Sequence, residues 1–293
     1  MSDWGKGVIN NIGWGQGANN DIGWGSIYAD SNSGLTLLSG SGFEGFLNQF
    51  PGASLGLSLD KLDKNYTGSA IKVRRSSDNN ELDIGFVDGI LDTASLLDFV
   101  GSGDAFVTII YDQVGSNNMT QTTSSLQGQI VSNGSVILKG GKPCIIRSVD
   151  NSGMYVSNYA PNDGANVKGF YYVGDNEGKR SSLFGGGDMK DFTFSSISGV
   201  TNTEIDGNVT VSLTKINGSA TTITNRGDVF NETNKHFLAY REIDFNFNFN
   251  KSILGYVKLS DFGMMTFQEL VIFENTDDAV AKENNIYSRY NIY

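Results

Sequence analysis

The sequence predicts an all-β sandwich, and three observations predict it. Gly is abundant, at 37 of 293 residues, while Pro numbers only 3. Short apolar, β-branched runs recur through the chain from about Tyr66 onward. Turn signals such as Ser132-Asn133-Gly134 and Ile216-Asn217-Gly218 separate those runs. Tight turns between short, half-buried strands suit a sandwich and not a helical bundle. The length suffices for one large all-β domain or two smaller ones.

Residues 1–30 carry an internal repeat. Trp4, Trp14 and Trp24 are ten residues apart and are all the tryptophans of the chain. The shared unit is Asn-Asn, then Ile-Gly-Trp-Gly, as in Ile12-Gly13-Trp14-Gly15 and Ile22-Gly23-Trp24-Gly25, with Asp21 as one extra residue in the later copy. This segment has too little apolar content for a core of its own. Tryptophan is a strong interface anchor, and Gly5, Gly15 and Gly25 allow close backbone approach. Docking into a partner is therefore expected of this extended anchor segment, ahead of an idle disordered tail.

Residues 31–60 read as a linker or transition, with Phe43, Phe46 and Phe50 at near-helical spacing. The main domain is expected over 61–293. Ala70-Ile71-Lys72-Val73-Arg74 alternates as a strand, and Phe106-Val107-Thr108-Ile109-Ile110-Tyr111 reads as a buried one. Between them, Asp92 to Gly101 reads as a short internal helix with Asp92 as N-cap and Gly101 as terminator. Further strands are expected at Cys144-Ile145-Ile146, Gly169–Val173, Phe192–Phe194, Val209–Leu213, Thr221–Ile223, His236–Tyr240, Ile253–Val257 and Gln268–Phe273. Thr276 to Tyr290 reads as a C-terminal helix capped by Thr276, with Ala279, Val280, Ile286 and Tyr287 facing inward.

A formal net charge of −11 argues against a nucleic-acid partner. No stretch is long and apolar enough for a membrane span, and Met1 to Gly7 shows no secretory signal core. Cys144 is the one cysteine and His236 the one histidine, which leaves no Cys-based or multi-His metal site and weakens any Ser-His-Asp triad. No cofactor is expected: Gly185-Gly186-Gly187 lacks a phosphate-loop pattern and reads as a turn or bulge. Asp175-Asn176-Glu177-Gly178 offers oxygen ligands for calcium, but such loops are usually just turns, and no metal is assigned.

Three strings resemble a lectin-like domain related to α-L-arabinofuranosidase catalytic domains. They are Ile71 to Asn79, Phe106 to Asn118 and Glu269-Leu270-Val271-Ile272-Phe273 into Asn284 to Tyr290. The resemblance implies a concanavalin-like jelly-roll sandwich, a fold that often holds sugars. Within it, Tyr111, Asp112 and Gln113 are candidate glycan contacts. The alternative, favoured for Asp112, is a turn-capping role supported by Asn118. Phe245 to Asn250 alternates aromatic and polar residues, which suits a strand with its Phe face inward more than a sugar platform.

The same resemblance implies a glutamate nucleophile and an aspartate acid/base. Neither carries over: Asp188-Met189-Lys190 places a lysine at the nucleophile string, and Asp261 has the wrong spacing for the acid/base. No catalytic residue is assigned, and no enzyme is expected. The Trp-Gly repeats resemble N-terminal segments of structural proteins of phages that infect Bacteroidetes-type hosts. Together the two resemblances imply a phage virion protein, such as a head fibre, decoration or tail-associated component. It would be anchored to capsid or tail proteins through residues 1–30, and its sandwich would display a glycan-binding surface for host attachment. Synthesis in the host cytoplasm, localisation to the virion, and a symmetric homo-oligomer such as a trimer fit that picture. The alternatives are a glycan-depolymerising hydrolase using carboxylates such as Glu204, Asp206 and Asp261, or a purely structural glue between capsid or tail subunits.

Overall fold

The computed structural model describes residues 29–30, 34–35, 43–147, 155–160, 167–179, 181–186, 192–193, 199, 201, 203, 206, 209–233, 235–245, 252–254 and 263–292. The chain divides into two units, Met1–Glu44 and Gly45–Tyr293. In the first, Ala29–Asp30 pairs antiparallel with Gly34–Leu35. Trp4, Gly5, Trp14, Gly15, Trp24 and Gly25 lie outside the described residues.

The second unit is built on two large antiparallel sheets. One has six strands in the order Ser219–Ala220, Val209–Ile216, Phe237–Phe245, Lys168–Gly174, Glu269–Phe273 and Ala53–Ser58. The other has ten strands, among them Ile71–Arg75, Ala105–Ile110, Gly128–Ser132, Tyr155–Ser157 and Phe184–Gly186. This is the expected all-β sandwich.

The side-chain period of two explains the layering. In Lys168–Gly174, Phe170 and Tyr172 join the core between the sheets, with Leu55, Leu57, Val107 and Ile110. Tyr171 and Val173 join a second core on the outer face, with Phe46, Ile286 and Tyr290. Leu270 and Ile272 against Val271 and Phe273 repeat the pattern one strand over. A strand covered on both faces is apolar at every position, which is why Gly169-Phe170-Tyr171-Tyr172-Val173 shows no alternation in sequence.

Two helices behave differently from each other. Thr93–Val100 follows the expected signals: the Asp92 carboxylate accepts from Ser95 N at 3.0 Å, and Gly101 stops it at φ +65°. The C-terminal helix is Ala279–Tyr290, so it starts three residues after the expected Thr276 cap, behind Asp278 in the left-handed region. Val280, expected inside, is 63 % exposed. Lys282 and Glu283 are buried instead, because Lys282 lies over the Phe273 ring and donates to the Asp277 carbonyl ahead of the helix, while Glu283 pairs with Lys215.

Other expectations need correction. Ala53–Ser58 is a full strand paired to Glu269–Phe273, and Phe46–Gln49 is a short helix whose Phe46 enters the outer core. The sandwich therefore takes in part of the expected 31–60 linker, because the edge of the six-stranded sheet needs that strand. Gly185 and Gly186 are strand residues rather than a turn: Gly185 pairs with Phe192 on one side and Ile253 on the other, and Gly186 pairs with Ser252. Thr221–Ile223 forms no strand, since the turn at Asn217-Gly218 returns only Ser219–Ala220 to the sheet. Helix Arg226–Thr233 was not expected.

Candidate functional site

One hairpin organises a group of charged side chains. Leu138–Lys139 pairs with Lys142–Pro143 across Gly140 and Gly141. Both glycines have positive φ, at 56° and 79°, as a two-residue I′ turn requires. A side chain at Gly140 would meet the His236 ring and the Tyr290 carbonyl within 3 Å, so the turn is pressed onto the body of the protein. Gln268 holds it from beneath, with Nε2 facing the carbonyls of Lys139, Lys142 and Pro143. The Gln268 Oε1 pairs with His236 Nε2 at 2.6 Å, and burial lowers the His236 pKa.

The hairpin sends one lysine to each of two acidic groups. Lys142 forms an ion pair with Asp60, whose other cation, Arg289, lies 3.6 Å from the same oxygen, Oδ2. Arg289 also grips Glu269, with Nη1 and Nη2 at 2.8 and 2.6 Å from its two oxygens. Glu269 is wholly buried and accepts further hydrogen bonds from Ser58 and Tyr290. Burial raises the Asp60 pKa, against the opposing pull of Lys142 and Arg289. Asp60 lines a pocket of about 430 Å3. The Phe86–Val87/Ile90–Leu91 hairpin contributes Ile90 and Leu91 to its lining, and Leu138 and Pro143 come from the Lys139/Lys142 hairpin.

On the other side, Lys139 Nζ lies 2.7 Å from Asp175 and 3.5 Å from Glu177. These carboxylates follow the Lys168–Gly174 strand. Asp175 N donates to Thr266 Oγ1, and Asp175 Oδ1 accepts from Glu177 N, both at 2.7 Å. An ammonium group thus occupies the space between the oxygens considered for calcium. Nearby Cys144 is buried, which pushes its thiol pKa far up.

The Tyr111-Asp112-Gln113 string is largely engaged inside the fold. Asp112 accepts from the backbone of Gly56, Val114 and Asn117, while Asn118 accepts from Asp112 N. Gln113 accepts from Leu62 N and donates to the carbonyls of Ser58 and Asp60, which braces the segment carrying Asp60. Tyr111 is partly exposed, and its hydroxyl donates to Asp83 at 2.6 Å. Asp206 is bound by both terminal nitrogens of Arg241 at 2.9 Å. Asp188, Met189, Lys190, Glu204, Asp261 and residues 246–250 lie outside the described residues. Sequence reasoning passed over Asp60, Lys139 and Lys142. The Lys-Gly-Gly-Lys string was a readable hairpin signal, but its two acidic partners are distant in sequence.

The family model for the catalytic domain of α-L-arabinofuranosidase B matches residues 58–211, which is more than half of the chain. The chain belongs to that family. Among solved structures, it is similar to a GH54 α-L-arabinofuranosidase soaked with a cyclic sulfate inhibitor, at 17% identity and a TM-score of 0.44. It is also similar to an arabinofuranosidase complexed with arabinofuranosyl-α-1,2-xylobiose, at 16% identity and a TM-score of 0.45. In both cases 80% of this chain and 62% of the other are covered, so the chain spans under two thirds of those proteins. No curated protein matches it.

The family corrects the functional expectation drawn from sequence. A match to an enzyme catalytic domain overturns the reading as a non-enzymatic phage virion protein, with its head-fibre, tail and host-attachment roles. It equally overturns the expectation of no enzyme. The ten-residue Trp spacing stands in the sequence, but no match supports a virion role for it.

Proposed function

We propose that the protein is a glycoside hydrolase that removes terminal α-L-arabinofuranosyl groups. The observation that carries this reading is the family match over residues 58–211. That region includes the Lys168–Gly174 strand at the centre of the six-stranded sheet and the Asp175 loop that follows it. Glycoside hydrolysis needs two carboxyl groups flanking the scissile bond. With Lys190 in the string that resembles the nucleophile region, the nucleophilic carboxylate must come from another position of this chain.

The test is release of 4-nitrophenol from 4-nitrophenyl α-L-arabinofuranoside by the full chain between pH 4 and 8. Matched xylopyranoside and galactopyranoside substrates serve as controls. Turnover confined to the arabinofuranoside is the expected result. A silent protein whose Lys190→Glu variant gains turnover would sink the proposal, because it would show that this chain had lost the family's chemistry. A protein silent in both forms would sink it as well.

A further inference from the structure

The pocket above Asp60 is separate from the Asp175 loop and is not explained by hydrolysis. Its lining is mainly aliphatic, from Ile90, Leu91, Val136, Leu138 and Pro143. Ile90 and Leu138 are more than half exposed, at 54 % and 52 %, so the apolar surface reaches solvent. At about 430 Å3 the space falls within the usual range for small-molecule sites. Aliphatic walls without an aromatic platform favour an alkyl chain over a sugar ring.

The base of the pocket selects the head group. Lys142 and Arg289 both approach Asp60 Oδ2, and Oδ1 takes no hydrogen bond from the described residues. We propose that this pocket binds a small alkyl ammonium ion, its chain along Ile90 and Leu138 and its head donating to Asp60 Oδ1. Burial leaves the Asp60 carboxylate short of stabilisation even with two cations nearby, and a further donor relieves that. A carboxylate ligand would find Lys142 already paired and would face the Asp60 carboxylate in the pocket lining. The net charge of −11 favours a cation at longer range.

The test is calorimetric titration of the full chain with n-hexylammonium chloride, n-hexanol and sodium hexanoate. Saturable binding of hexylammonium is expected, about ten-fold tighter than hexanol because the hydrogen bond is charge-assisted. Hexanoate should not bind. Asp60→Asn should abolish the preference for ammonium over alcohol. Leu138→Ser, at an exposed position that folding tolerates, should weaken both ligands about three-fold through lost apolar contact. Tightest binding by hexanoate, no saturable binding by hexylammonium, or an ammonium preference that survives Asp60→Asn would each overturn the assignment. None of these outcomes depends on hydrolytic activity, so this proposal and the one above can fail separately.

Discussion

The two faces of the six-stranded sheet bury their side chains by different means. The inner face meets the ten-stranded sheet with Leu55, Leu57, Phe170, Tyr172, Leu270 and Ile272, a core of apolar volume. The outer face is roofed by Ala279–Tyr290 and mixes aromatic rings with charges. Lys282 Nζ sits 3.8 Å from the Phe273 ring centroid, Lys215 pairs with Glu283 at 2.8 Å, and Arg289 clamps Glu269. Removing a side chain from the inner face costs contacts and leaves a cavity. Removing one from the outer face can strand a charge.

That contrast is broken most directly at Arg289. Arg289→Ala leaves Glu269 fully buried with only Ser58 and Tyr290 as donors. A buried pair broken on one side typically loses about 3–5 kcal/mol. A correspondingly lower urea midpoint is expected, and a shift worth less than about 1 kcal/mol, the surface-pair range, would show that the clamp is not buried in energetic terms.

The inner face supplies the matched experiment. Leu270→Ala removes a wholly buried side chain, and such truncations cost about 2–5 kcal/mol depending on how far the site collapses. Xenon or another small apolar probe should bind the resulting cavity. The Arg289→Ala variant should show no such binding.

A smaller effect is expected from Tyr287→Phe. The Tyr287 hydroxyl is buried with no hydrogen-bond partner among the described residues, although the ring packs against the outer core. Deleting an unsatisfied polar atom while keeping the ring should leave stability unchanged or raise it by up to about 1 kcal/mol. A loss of more than that in thermal or urea unfolding would mean that the hydroxyl has a partner.

The same contrast explains what could be read in the sequence. Strands that line the inner core, such as Ala105–Ile110 of the ten-stranded sheet, announce themselves by apolar runs, and Thr93–Val100 by both of its caps. The outer face hides. Lys282, Glu283 and Arg289 look like solvated helix charges until the sheet beneath supplies Phe273, Lys215 and Glu269. Period alone therefore placed Val280 inside and passed over its neighbours. Helix Arg226–Thr233 was legible in principle: Asn225 and Asp228 form a reciprocal cap, with bonds of 3.0 and 3.2 Å. Its weak apolar stripe concealed it. Charge clusters such as Asp60 with Lys142 are built from residues 82 positions apart, and no local pattern encodes them.

The smallest expected effect is a slope, at the margin where the outer network meets the pocket. Asp60 has a folded pKa raised above 3.8, chiefly by burial. Between 3.8 and that folded value the native state holds a proton that the unfolded chain has released. Its stabilising contribution is therefore complete below 3.8 and is lost as pH rises through the folded pKa. Asp63, Asp78, Asp92 and Asp228 have lowered pKa values and act in the opposite sense, so the overall acid profile hides Asp60. Subtracting the Asp60→Asn profile isolates it. Urea midpoints of both proteins from pH 3 to 7 should show the wild-type advantage shrinking as pH rises. An advantage that grows with pH would mean that Lys142 and Arg289 outweigh the burial of the carboxylate. The outer network would then stabilise its charges outright, and the contrast with the inner face would narrow to one of chemistry alone.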